Sequence, residues 1–124
     1  MPLIYEIDSQ EGLVTVRGTG TVSMPAMIEV IERVAADPQF RPRFTVIYDL
    51  REVQYTAELS DGEALARVLK QKKTDFQSRF AVLVPESLHF LARLYCVLAN
   101  VAGFDKIQCF TDETQAREWC RGGA

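Results

Sequence analysis

Histidine occurs once in this chain, at His89. A single imidazole cannot supply a histidine-based zinc site, and no serine or cysteine is spaced from it as a triad requires. It is expected to be structural or exposed. Cysteine is nearly as scarce. Cys96, Cys109 and Cys120 form neither an even set nor a metal-ligand spacing, and read as reduced thiols of a cytoplasmic protein. Basic charge is not in excess: 14 Lys and Arg stand against 17 Asp and Glu, a net charge of −3. That argues against nucleic acid, whose binding rests on clustered cations neutralising phosphates. No apolar run reaches bilayer length. The longest, Leu88–Ala102, is interrupted by His89, Arg93 and Asn100. No basic start is joined to an apolar run, so no secretory signal is expected. Internal repeats, low-complexity stretches and linkers are also missing. The 124 residues are therefore expected to be one domain with one core.

A complete phosphate-binding loop is missing as well. Gly18-Thr19-Gly20-Thr21-Val22-Ser23 follows a strand-like run and precedes a helix, and Asp49 ends the next strand. Yet Ser23 stands where a third glycine is needed, and Asp49 lies well beyond the usual ~20-residue spacing. Glycines in a strand-to-helix loop account for the string, and no cofactor is expected.

What the chain does have is Phe44–Arg51, a run of β-branched and aromatic residues that ends in Asp49, Leu50 and Arg51. A strand covered on both faces reads this way, whereas a half-covered strand alternates. Arg79–Val84 is a second run of the same kind. Leu3–Asp8 and Leu13–Arg17 alternate and are joined by a short link ending in Gly12, the pattern of a β-hairpin. Helices fit between the strands. Ser23 caps one that Asp37-Pro38 ends. Ser60-Asp61-Gly62-Glu63 opens another as a capping box, running to about Lys72. Pro85 and Glu86 start a third that Gly103 closes. Lys106–Phe110 reads as an edge strand, and Thr111 or Asp112 caps a last helix that turns Ala116 and Trp119 inward. The expected architecture is α/β: a mixed five-stranded sheet in the order β-β-α-β-α-β-α-β-α, with right-handed parallel crossovers after the hairpin and central strands at 44–50 and 79–84.

These elements, the Asp49-Leu50 ending of the third strand, the capped helix soon after, and the closing Ala-x-x-Trp of Ala116–Trp119 resemble the SpoIIAA-like group. That group is related to the STAS domains of anti-sigma-factor antagonists and, more distantly, to the lipid-carrying CRAL-TRIO domains. The resemblance implies a non-enzymatic binding module acting through protein contacts, with the loop 53–61 and the start of its helix as contact surface. Some STAS relatives are switched by phosphorylation of a serine in an Asp-Ser-Ser-Gly string. The counterpart here is Leu59-Ser60-Asp61-Gly62, where Ser60 and Gly62 match and Asp61 stands in place of a serine. Ser60 thus has two readings, helix cap and phospho-acceptor. The alternative function implied is carriage of a small apolar ligand, in a cavity of several hundred Å3 lined by residues such as Phe76, Phe80, Phe90 and Tyr95.

The candidate binding residues are therefore Asp49, Arg51, Tyr55, Ser60 and Asp61. Asp49 and Arg51 lie two apart at a strand end, where α/β sheets bind ligands. Their structural alternative is a carboxylate held by backbone N–H groups and an arginine paired with Glu52 or Glu86. Lys70, Lys72 and Lys73 fall at a helix end, where cations are favoured. The helix over 88–102 is apolar over more of its surface than a single buried stripe requires. Phe90, Leu91, Leu94, Val97, Leu98 and Val101 make a broad face expected to meet the core. His89, Arg93, Cys96 and Asn100 make a polar stripe. Ala92, Tyr95, Ala99 and Ala102 make a third face of small residues around one aromatic. The excess apolar surface is expected to meet another helix of the same domain, a second subunit in a homodimer, or an apolar ligand.

Overall fold

The computed structural model describes residues 2–58 and 60–122. Among these, the elements are β1 (Leu3–Asp8), β2 (Leu13–Thr21), α1 (Met24–Ala36), β3 (Thr45–Gln54), α2 (Asp61–Gln71), β4 (Phe80–Leu83), α3 (Glu86–Val101), β5 (Ile107–Phe110) and α4 (Glu113–Cys120). The strands form one sheet in the order β1-β2-β3-β4-β5. β1 runs antiparallel to β2, and every other pairing is parallel. The α/β architecture and hairpin are those expected, and β3 is the middle strand. Val46, Ile47 and Tyr48 are consecutive and all buried, which requires cover on both faces.

The cover is unequal, and the winding explains why. Each parallel crossover steps to the next strand in the same direction, so right-handed connections all fall on one face. Residues of α1, α2 and α3 accordingly share one core with Val14, Val16, Val46, Tyr48, Phe80, Ile107 and Cys109. The opposite face has α4 alone, whose Ala116 and Trp119 meet Ile47, Ala81 and Leu83. At the amino ends of the strands the first core is aromatic: Phe76 lies between Phe40 and Phe80, with ring centroids 5.1 and 5.7 Å away. The Ser23 hydroxyl accepts from Ala26 N–H to start α1, and the Asp112 carboxylate accepts from Thr114 N–H to start α4.

Two strands are longer than their sequence pattern. β2 continues through Gly18–Thr21, so the glycine string is strand rather than loop. Arg17 pairs with Asp49 but Thr19 pairs with Glu52, which leaves one extra residue on β3 opposite Gly18. The bulge returns Val53 to the helix-covered side, where it is buried. A Cβ on Gly18 would lie 2.7 Å from Val53 Cγ2 and 2.9 Å from Leu3 Cδ2. Close packing therefore demands glycine there, with no phosphate involved.

The faces of α3 are the reverse of those expected. Ala99 is fully buried and Ala92, Tyr95 and Ala102 are half-buried, while Phe90 and Val101 are 83% and 82% exposed. Leu94, Val97 and Leu98 are also exposed. The physical reason is the neighbouring helix: Gly62 of α2 has no side chain, and a Cβ there would lie 2.9 Å from Tyr95 Cδ1. Two helices approach that closely only through small residues, so the small face turns inward. Ala92, Tyr95, Ala99 and Ala102 therefore do not form an outer surface, and the broad apolar face does.

Candidate functional site

Sequential winding places the carboxyl ends of β3 and β4 beside the start of α2 and the middle of α3. Four polar residues converge there. Tyr55, just past β3, donates its hydroxyl to Asp61 Oδ2 in the first turn of α2. Glu58 N–H donates to the same oxygen at 3.2 Å. The Tyr55 and Tyr95 hydroxyl oxygens are 3.4 Å apart, and Tyr95 O–H reaches the Glu58 carbonyl at 3.4 Å. Burial, with the Asp61 carboxylate beside it, holds the Tyr55 hydroxyl well above its ordinary titration range. Tyr55 and Asp61, two of the expected site residues, are thus brought together with Tyr95.

Ser60 stands at the N-cap position, but its backbone is already helical and its side chain makes no capping bond. The expected capping box is absent. Asp61 has taken its place by accepting from Tyr55 and Glu58, and Ser60 is left exposed. Leu59 lies outside the described residues.

Beneath the two tyrosines is an apolar pocket of about 80 Å3, lined by residues that include Met27, Tyr48, Leu50, Val84, Leu91 and Cys96. Phe80 and Tyr95 line it, as a carrier cavity would require. Phe76 does not, being packed into the aromatic core, and Phe90 faces solvent. The volume falls short of the several hundred Å3 expected of a carrier.

Asp49 and Arg51 share the opposite face of β3 and form a different unit. Arg51 Nε and Nη2 meet the two Asp49 carboxylate oxygens at 3.0 and 2.8 Å, and Arg51 N–H donates to Asp49 Oδ1 at 3.1 Å. Nη2 also reaches Glu113 Oε1 at 2.8 Å, and Glu113 Oε2 accepts from Arg117 Nε at 2.8 Å. The arginine's distant partner is thus Glu113, in place of Glu52 or Glu86. Burial works to raise the Asp49 carboxyl, but its bonds to Arg51 outweigh it and hold it below the ordinary carboxylate range. Arg117 and Arg51 do the same for Glu113. This chain of charges ties the end of β3 to the first turn of α4. Glu113 was not identifiable in advance: an acidic residue in a first turn is ordinary, and its partner is 62 residues away.

The remaining feature is the outer face of α3. Phe90, Leu94, Val97, Leu98 and Val101 recur at helical spacing and form one exposed apolar stripe. Among the described residues no helix is long and apolar enough to cross a membrane. No group of three or more His, Cys, Asp or Glu side chains there is arranged to hold a metal.

No protein-family model matches this chain, and no curated protein does. Among solved structures it is similar to an uncharacterized DUF3478-family protein with a SpoIIAA-like fold from Shewanella loihica PV-4. The TM-score is 0.59 at 16% identity, over 95% of this chain and 91% of that one. Sheet order, hairpin and one-sided helical layer agree with that likeness: the chain has a SpoIIAA-like α/β fold.

Proposed function

We propose that this chain is a non-enzymatic binding module of STAS type that works through protein contacts, with the outer face of α3 as its contact surface. The observation that supports this is the stripe of Phe90, Leu94, Val97, Leu98 and Val101, left uncovered along the helix. A contiguous exposed apolar patch is uncommon on a monomer and marks an interaction surface. The first occupant is a second copy of the chain. A two-fold axis across the helix sets Phe90 against Val101 of a second copy and Leu94 against Val97, so the stripe is its own complement. Arg93 is the one charged residue between Phe90 and Val101, so no row of like charges opposes the pairing.

Sedimentation at about 10 µM tests this. The wild type is expected to be a dimer, and Val97→Glu a monomer with an unchanged circular dichroism spectrum. A monomeric wild type at that concentration overturns the homodimer. A second reading, carriage of a small apolar ligand, draws on the pocket under Tyr55 and Tyr95. At about 80 Å3 it is well below the ~300–1,000 Å3 of ligand sites, so this reading requires α3 to move outward. Native mass spectrometry separates the two, because it reports a retained ligand and the oligomeric state together.

A further inference from the structure

Arg117 lies in the last turn of α4 and Arg121 at its C-cap, four residues on, so both extend from one side of the helix. They line a groove of about 440 Å3 at the amino end of the strands, on the side of the sheet that α4 covers. Its other walls are the β1–β2 turn, with Ser9, Gln10 and Glu11, and the entry to β3, with Arg43. The fold fixes these walls. Thr45 N–H donates to the Gly12 carbonyl at 2.9 Å, which ties the turn to β3. The Asp8 carboxylate accepts from Gln10 and Glu11 N–H at 3.1 and 3.0 Å, which shapes the turn.

The positive charge in this groove is not used up by structure. Among the described residues Arg43 and Arg121 take part in no salt bridge, and Arg117 gives only its Nε to Glu113, at 2.8 Å. Arg43 is laid over the Phe44 ring, 4.9 Å from its centroid, which orients the guanidinium without neutralising it. Glu11 is the one carboxylate on the groove wall, so three guanidiniums leave a surplus of two positive charges. That surplus stands in a chain whose net charge is −3. The carboxyl end of a helix disfavours an anion, but the Trp119 carbonyl at the end of α4 already accepts from Gly122 N–H and from Arg79.

We propose that this groove binds a small organic phosphate, its dianionic group between Arg43, Arg117 and Arg121 and its hydroxylated body along Ser9, Gln10 and Ser78. A guanidinium presents parallel N–H donors that match phosphate oxygens. The charge of a phosphate monoester, close to −2 at neutral pH, equals the local surplus. The volume is within the ~300–1,000 Å3 of small-molecule sites. The groove is across the sheet from the outer face of α3, so it does not rest on that face being a contact surface, and a monomeric chain retains it. The same chemical group occurs on phosphoserine, and the test separates the two sources.

The test is an NMR titration of amide signals in the full chain, at neutral pH and about 50 mM salt so that screening is modest. The probes are ribose 5-phosphate, inorganic phosphate, ribose, and a phosphoserine peptide of otherwise neutral sequence. Ribose 5-phosphate is expected to shift residues 9–12, 43–45 and 117–121 with a dissociation constant of about 1 mM or lower. Inorganic phosphate should shift the same signals more weakly, and ribose none. Arg43 and Arg121 are exposed, so Arg43→Gln and Arg121→Gln should fold as the wild type does, and each should weaken binding about tenfold. Lys73→Gln, which removes an exposed cation outside the groove, should leave binding unchanged. The proposal is overturned if no shift saturates, or if Lys73→Gln weakens binding as much as Arg43→Gln. Tighter binding of the phosphoserine peptide than of ribose 5-phosphate overturns the small-molecule ligand.

Discussion

The orientation of α3 can be tested by placing the same charge on each of its faces. Ala99 is fully buried, whereas Val97, two residues earlier, is 56% exposed. Full burial of a valine side chain is worth roughly 1.5–3 kcal/mol, and less than half of Val97 is out of water, so Val97→Glu should cost about 1 kcal/mol. Ala99→Glu forces a carboxylate and two extra methylenes into a filled space against α2 and the sheet. Several kcal/mol of desolvation and ~1–3 kcal/mol of overpacking add there. Against a total stability of about 5–15 kcal/mol, that is enough to leave much of the chain unfolded at 25 °C. Urea denaturation followed by circular dichroism gives both numbers. It should be run at two protein concentrations, because self-association adds a concentration-dependent term to the apparent stability. The expected outcome is a midpoint close to wild type for Val97→Glu in dilute solution, and little or no folded baseline for Ala99→Glu. Equal damage from both, or the reverse order, would falsify the assigned faces and with them the contact surface proposed above.

Three further outcomes follow from other contacts. Gly18→Ala gains ~0.5–1 kcal/mol of chain entropy but drives its methyl into Val53 and Leu3, so a net loss of about 1–2 kcal/mol is expected in chemical denaturation. Ser60→Ala removes no capping bond, so stability should change by less than about 0.5 kcal/mol; a loss near the ~1 kcal/mol of a lost cap would restore the capping box. Arg51→Met removes the partner that keeps the Asp49 and Glu113 carboxyls below their ordinary range. Because their folded values are depressed, the stability they contribute is fully present above about pH 5 and disappears as pH falls through the folded values, below about pH 4. The wild type should therefore exceed Arg51→Met by about 1 kcal/mol or less near neutrality, given the exposure of the arginine, and the two curves should converge in acid. A gap that widens on acidification would contradict the ion pairs.

The central strand was legible because burial on two faces leaves a mark in one dimension: Val46, Ile47 and Tyr48 have no polar residue between them. The alternating hairpin and the capped starts at Ser23 and Asp112 were legible for similar local reasons. The phase of α3 was not. A helix that is apolar over most of its circumference states its period but not which side faces in, and the deciding contact, Gly62 against Tyr95, belongs to another helix. The bulge that lengthens β3 also left no local trace, because Gly18 resembles a loop glycine until Leu3 and Val53 stand beside it. At the candidate site the sequence offered Tyr55 and Asp61 separately, and their convergence with Tyr95 required the fold. Arg51 met the same limit, since its distant partner lies in the last helix.

The helices that join the parallel strands all lie on one side, and this has a consequence for how the chain is made. Each strand pairs with its neighbour in sequence, so the sheet can grow in the order of synthesis. Its other side is different: Ile47, Ala81 and Leu83 are closed off by α4, the helix that follows the last strand of the sheet. Until α4 has emerged from the ribosome, a nascent chain with its sheet complete still carries a bare greasy strip, and it is in that interval that a chaperone has something to hold.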